Sequence, residues 1–310
     1  TFGRVLMGVG TGVILMASII ACARWFEVRH FGTVTGTLLG LSQLGNLAAT
    51  APMAGLAEWL GWRGAFHALA VLTILLIVAS LAFLRDAPAG HAMHSRPRES
   101  AAQAMAGIAE VFRIPGIRPV IVMASVGYAA IACVLGLWGG PYLHDVYGMD
   151  TIGRGKVLSA LAIGLFIGNL TYGWLVHWVG SPKRLVLFGA LATASNFALL
   201  ALVPSPPLGA AIAMLAALGL VGSYTAMIIA HGRTFYPDRL VGRGMTVVNT
   251  AVLAGVATLQ WLSGLVVGAF GKIDGHTPPQ AYRTVFGLLA IVLVIGVSIY
   301  WRGPERGKEG

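Results

Sequence analysis

Arg4 is the one lysine or arginine inside the apolar run that opens this chain, 2–22. A charge within a bilayer costs about 2.5 kcal/mol or more unless it meets a cavity or a partner, so its chemistry would be to bind or orient an anion. The competing reading is snorkelling from the outer end of a span, since Arg24 in the next loop lies 20 residues on, about 30 Å of helix. Amides and hydroxyls make a second pattern. Gln43, Asn46 and Thr50 share one helical face at i, i+3 and i+7, and Asn249, Gln260 and Ser263 form a similar stripe because 11 residues is close to three turns. Such stripes act as interhelical hydrogen-bond glue, worth about 0.6 kcal/mol each, or as the polar wall of a solute path. Tyr128, Asn169 and Tyr224, the last flanked by Ser223 and Thr225, lie deep enough in their runs to join such a wall. Trp138 and Tyr142 sit where an interfacial aromatic belt is expected.

Carboxylates are conspicuous by position. Glu58 and Asp145 stand at the ends of apolar runs and Asp238 in a loop, so no run holds an acid well inside it. Proton relays in membranes use such acids. Any proton movement would then need an acid elsewhere in the protein, or a histidine such as His67 or His231, or would not occur. The adjacent His144-Asp145 pair has no nucleophile motif nearby and is expected to be a solvated loop end. The run GVGTG (8–12) lacks the strand and the G-x-G-x-x-G spacing of a nucleotide turn, so it is expected to pack helices, as are Gly36 and Gly40. Cys22 and Cys133 make no disulfide framework and no metal-ligand pair. No cofactor, no metal and no catalytic residue is expected, and with no catalytic constellation in view the chain is not expected to be an enzyme.

The elements that position these residues follow from composition. Of 310 residues, 57% are hydrophobic and 10% charged, with a mean hydropathy of +0.80. A soluble core cannot hide that much apolar side chain behind a polar exterior. Glycine, 42 residues, is about twice its usual share of ~7%, as closely packed membrane helices require. Nine apolar runs are long enough to span: 2–22, 33–57, 65–84, 117–140, 152–176, 182–203, 208–231, 244–270 and 282–301. They lack the period-2 alternation of barrel strands. The long polar segment between the third and fourth runs contains HAMHSRPRESAAQ (91–103), with a short surface helix expected over 108–113.

Lysine and arginine then set the orientation. Fifteen of the 21 fall on one side: Arg24, Arg29, the linker arginines, Lys183, Arg184, Arg233, Arg239, Arg243, Arg302, Arg306 and Lys308. The six others are Arg4, Arg63, Arg154, Lys156, Lys272 and Arg283. The richer side is expected to be cytoplasmic, which accounts for the net charge of +10 without nucleic acid. A shift of 209 residues aligns LMGVGTGVILMASIIACARWF (6–26) with LAALGLVGSYTAMIIAHGRTF (215–235), each followed by a basic loop. Parallel repeats of six spans belong to secondary transporters.

Four motifs carry a family resemblance. GWLVHWVGSPKR (173–184) is similar to the G-x-L-x-D-x-x-G-[RK]-[RK] loop of the major facilitator superfamily, with His177 at the acid's position. GRVLMGVG (3–10) resembles the R-x-x-x-G-x-G signature of the family's fourth helix, and APMAG (51–55) a degraded antiporter signature of its fifth. LWGGPYL (137–143) closes a seventh-helix pattern of organic-anion members.

The resemblance implies an all-α polytopic fold of two six-helix bundles, the first truncated. Its parts would be a partial N-terminal bundle over 1–84 (helices 4 to 6), a cytoplasmic linker over 85–116, a C-terminal bundle over 117–302 (helices 7 to 12) and a tail over 303–310. Three helices are expected to precede Thr1. The implied function is secondary transport of a small solute, an organic or inorganic anion, by proton-coupled alternating access. Alternatives are an efflux antiporter of the same fold, a non-transporting sensor and a degenerate copy. Arg4, Gln43, Asn46, Tyr128, Asn169, Tyr224, Asn249 and Gln260 are the candidate solute-binding residues. Gly173, His177, Gly180, Lys183 and Arg184 form the candidate gating loop. The partners would be the bilayer and the solute, not nucleic acid, for a monomer in a bacterial inner membrane.

Overall fold

The computed structural model describes residues 48–83, 101–237, 240–273 and 275–305, with scattered positions between 14 and 45. Arg4, the glycines of 8–12, Cys22, Gly36, Gly40, Gln43, Asn46, the run 91–100 and Asp238 lie outside the described residues. The helices are α1 (Ala51–Phe83), α2 (Ala101–Arg113), α3 (Ile117–Tyr147), α4 (Thr151–Val179), α5 (Pro182–Leu202), α6 (Leu208–Arg233), α7 (Val241–Phe270) and α8 (Pro279–Trp301). All except α2 are long and apolar enough to cross a membrane. Among the described residues the β-structure amounts to an isolated antiparallel bridge between Ile273 and His276. Helices satisfy every backbone polar group within the segment, which is what a bilayer core demands. The chain is an all-α polytopic membrane protein.

The chain divides into two compact units, residues 1–48 with 56–98 and residues 49–55 with 99–310. In the first, α1 runs on through the gap expected between the spans 33–57 and 65–84. Gly61, at φ 72° and ψ 163°, marks the break inside it. Leu72, Ile74, Leu75 and Val78 are each more than half exposed, as side chains solvated by lipid can be.

The second unit is a bundle of α3 to α8, built on small residues. Gly164 lies so close to α6 that a methyl there would sit 2.7 Å from the Ala216 carbonyl, and a methyl on Gly219 would collide with the Leu161 carbonyl. Lipid is as apolar as leucine, so close backbone approach, rather than burial, holds such helices together. Ser159 of α4 bonds the Thr50 hydroxyl at 2.7 Å and accepts from the Ala51 N–H at 3.1 Å, capping the turn at 49–50 that interrupts the expected span 33–57. Asn196 likewise donates to the Met214 carbonyl of α6 at 3.0 Å.

Two expected boundaries move. The α3 span passes the expected end at 140 and reaches Tyr147, because Tyr142 and Leu143 are buried. The seventh apolar run is two helices, Leu208–Gly222 and Thr225–Arg233, broken at Ser223 and Tyr224. There the Ser223 hydroxyl reaches the Leu165 carbonyl of α4 at 2.9 Å and its own Gly219 carbonyl at 3.0 Å. The linker helix starts at Ala101, earlier than the expected 108.

Helices α5 and α8 cap one another. Lys183, near the start of α5, donates to the Trp301 and Gly303 carbonyls at 2.9 and 2.6 Å, at and just past the end of α8. Arg283, near the start of α8, donates to the Ala201 and Leu202 carbonyls at 2.8 and 3.3 Å, at the end of α5. Orphan C-terminal carbonyls and cations are matched by charge at both ends.

Candidate functional site

The closest seam of the bundle joins α3 and α7, which touch where Gly255 meets the Ser125 backbone carbonyl. Farther along, α3 widens into a π turn at Val134–Trp138, closed by the Gly139 N–H on the Val134 carbonyl. A methyl on Gly139 would sit 2.7 Å from that carbonyl, so glycine is needed there. Turns of this kind interrupt the i→i−4 ladder and recur at functional sites. Trp138 Nε1 donates to Ser263 Oγ at 2.8 Å, and Ser263 passes the bond to the Gln260 carbonyl at 3.0 Å. The Gln260 amide nitrogen faces Gly136, at 3.9 Å from where a methyl on that glycine would be. Tyr128, Asn249 and Gln260 are half-buried, and none of their side-chain polar groups has a hydrogen-bond partner among the described residues.

The other candidates are placed differently. Asn169 is half-buried on α4, beside the Gly168 that packs on Ser223. Tyr224 is completely enclosed at the break in α6, its ring against Gly189 and its unpartnered hydroxyl facing Gly127 of α3. Thr50 and Ser263 take the glue role, each bonded across helices. His231, 2% exposed, binds the Tyr300 hydroxyl through Nδ1 at 2.6 Å, and His67 is exposed.

Two sequence expectations are corrected. Trp138 and Tyr142 are not a lipid-facing belt: Tyr142 is 4% exposed and meets Tyr147, Tyr282 and Phe286 edge-on at ring-centroid distances of 5.6, 5.6 and 5.2 Å. Trp138 packs edge-on against Tyr282. The His144-Asp145 pair is not a solvated loop end either. It lies in the last turn of α3, with the Asp145 side chain only 12% exposed and accepting from the Tyr282 hydroxyl at 2.6 Å.

In the candidate gating loop, Gly180 takes φ 70° and closes α4 by donating its N–H to the Val176 carbonyl at 2.9 Å. Ser181 caps α5, with Pro182 in its first turn. Ser181 also donates to Glu305, which Arg184 approaches at 3.6 Å. Lys183 holds the carbonyls just before it, so this loop binds the tail after α8. Pro304 meanwhile covers Gly116, at φ 83°, leaving no room there for a side chain. Gly173 borders open space and His177 is exposed.

The Ser181 hydroxyl, aided by Arg184 and Lys183, holds the Glu305 carboxyl below its ordinary value of 4.5. A lowered carboxylate stabilises the docked tail above that value and loses its effect as pH falls through the lowered one. Protection of the Gly303 amide, taken relative to its intrinsic exchange rate at each pH, should therefore hold at pH 5 to 7 and fall in more acidic buffer. Ser181→Ala should move that loss of protection to higher pH. An unchanged midpoint would show that Ser181 does not set it.

With this geometry in place, two likenesses to known proteins bear on it. A family model described as Major Facilitator Superfamily matches residues 1–232. The inner membrane metabolite transport protein YgcS of Escherichia coli (strain K12) is 25% identical over 192 residues, which cover 60% of this chain and 38% of that protein. The match thus spans less than half of that relative's length.

Proposed function

Since this chain belongs to the major facilitator superfamily, we propose that it is part of a secondary membrane transporter, not an enzyme, carrying a small anionic metabolite by alternating access. One observation supports the reading most directly. Tyr128 on α3 and Asn249 and Gln260 on α7 offer half-buried polar side chains without protein partners among the described residues, and Gln260 faces the π turn. An unmet polar group in an apolar interior costs about 1–3 kcal/mol, so these groups fit a wall that water or solute wets. YgcS is a metabolite transport protein by its printed name, which agrees with a small polar solute. The anion preference rests on Arg4. The distribution of lysine and arginine favours the linker and the C-terminus on the cytoplasmic side, with the protein a monomer in a bacterial inner membrane and driven by a proton gradient.

Counterflow into proteoliposomes holding the full-length natural protein tests this, with carboxylates, nitrate and cationic dyes as the solutes. Exchange of an anion is the expected result, and Gln260→Leu should slow it at least ~10-fold, or about 1.4 kcal/mol, without changing thermal stability. Exchange of the dyes alone would replace the anion reading with drug efflux. No exchange of any solute would favour a sensor or an inactive copy.

A further inference from the structure

Away from the α3–α7 seam, at the end of the bundle where α3 stops, three metal-ligating side chains from two separate elements converge. His144 Nδ1 lies 2.9 Å from Asp145 Oδ1, and His276 Nδ1 lies 3.2 Å from the same oxygen. The donor atoms of all three residues fall within 4.8 Å of one another. In a tetrahedral zinc site, bonds of about 2.0–2.1 Å put neighbouring N and O donors about 3.3 Å apart. Two edges of such a site are therefore already present to within about 0.5 Å. The third edge, between the histidines, is within reach of small ring movements, since the rings are 5.5 Å apart and tilted by 34°.

The surroundings hold this arrangement in place. Oδ2 of Asp145, the oxygen turned away from the histidines, accepts from the Tyr282 hydroxyl at 2.6 Å and the Thr277 N–H at 3.2 Å. That is how outer partners orient a ligating carboxylate and leave its other oxygen free for an ion. His276 is fixed by the bridge it makes with Ile273, two backbone hydrogen bonds of 3.0 Å around Gly275 at φ 83°. His144 and Asp145 sit in the last turn of α3, where the His144 carbonyl accepts from Gly148. The negative end of a helix favours a cation. The two imidazoles are 45% and 57% exposed, so an ion has access from solvent and water can complete its coordination.

We propose that His144, Asp145 and His276 form a site for one divalent transition-metal ion of the zinc class, which ties the end of α3 to the loop between α7 and α8. Two imidazoles and one carboxylate are a donor set for zinc and its neighbours rather than for magnesium or calcium, which take oxygen ligands. The bound ion replaces the hydrogen bonds between the rings and Oδ1 and leaves the Tyr282 bond in place.

The test is calorimetric titration of zinc sulfate into the full-length protein, purified in detergent and stripped with a chelator. One equivalent should bind, unaffected by magnesium, and hydrogen exchange over 271–278 should slow on binding. His276→Ala, in an exposed loop and harmless to the bundle, should weaken binding at least ~100-fold, and Asp145→Asn equally, while Tyr282→Phe should weaken it about 10-fold. Size-exclusion profiles confirm that each variant is folded. Zinc bound with undiminished affinity by His276→Ala would place the ion elsewhere on the protein. No binding by the unaltered protein would leave the cluster a hydrogen-bonded strap. Either result overturns the site.

Discussion

Gly255→Ala is expected to destabilise the bundle by about 3 kcal/mol or more, a large share of the usual margin of about 5–15 kcal/mol. The added methyl would overlap the backbone carbonyl of Ser125. A backbone oxygen in mid-helix cannot rotate aside as a side chain can, so α3 and α7 must separate along their whole contact. Overpacking of a tight interior costs about 1–3 kcal/mol even where side chains can adjust, and here there is none to adjust. Gly264→Ala on the same helix is the control, because a methyl there meets nothing within 4 Å. It exchanges glycine for a better helix former, worth about 1 kcal/mol, and should be neutral or slightly stabilising. Thermal unfolding in detergent, followed by size-exclusion recovery, separates the two. Equal midpoints would show that the α3–α7 contact is looser than described.

Transport by the full-length protein should be abolished by Arg4→Gln and reduced at least ~10-fold by Arg4→Lys. Arg4 lies outside the described residues, so the expectation rests on chemistry alone: it is the one fixed positive charge in the apolar run 2–22. Lysine preserves the charge but not the planar fork that grips a carboxylate or nitrate with two parallel hydrogen bonds. A snorkelling arginine, by contrast, tolerates lysine, since both carry a long apolar stem. Initial counterflow rates, normalised to inserted protein, distinguish the two roles. An unchanged rate for the lysine variant would remove Arg4 from the solute path.

The spans of the described residues were legible because lipid imposes one rule on every position, and an apolar run of 20 residues satisfies it wherever it occurs. Their interruptions were not. The segment VLGLW (134–138) has the same composition as its helical neighbours, and only Gly139 under the Val134 carbonyl distinguishes the π turn. Likewise α3 continues through the polar run GGPYLHDVY because Tyr142 and Asp145 find partners on α8, information that lies 137 residues away in the chain for the Tyr282 bond. The stripe of Asn249, Gln260 and Ser263 was visible from helical spacing. Which of its members would be glue was decided by Trp138, on another helix. Ser159 was not legible, because a lone serine in a membrane helix gives no sign of which backbone it caps. Glycine was legible in abundance but not in role: Gly255 and Gly264 look alike until a neighbour is present.

The mutual capping of α5 and α8 fixes a length. Were either helix to slip along the other by one residue, about 1.5 Å, Lys183 and Arg283 would lose their carbonyls together, at opposite ends. The pair is therefore a ruler locked in register, 21 and 23 residues long, or about 32 and 35 Å. A bilayer thinner than this cannot be matched by sliding or shortening the pair. It must be matched by tilting both helices as one body or by thickening the lipid around them. Membrane thickness thus enters the behaviour of this protein as an angle.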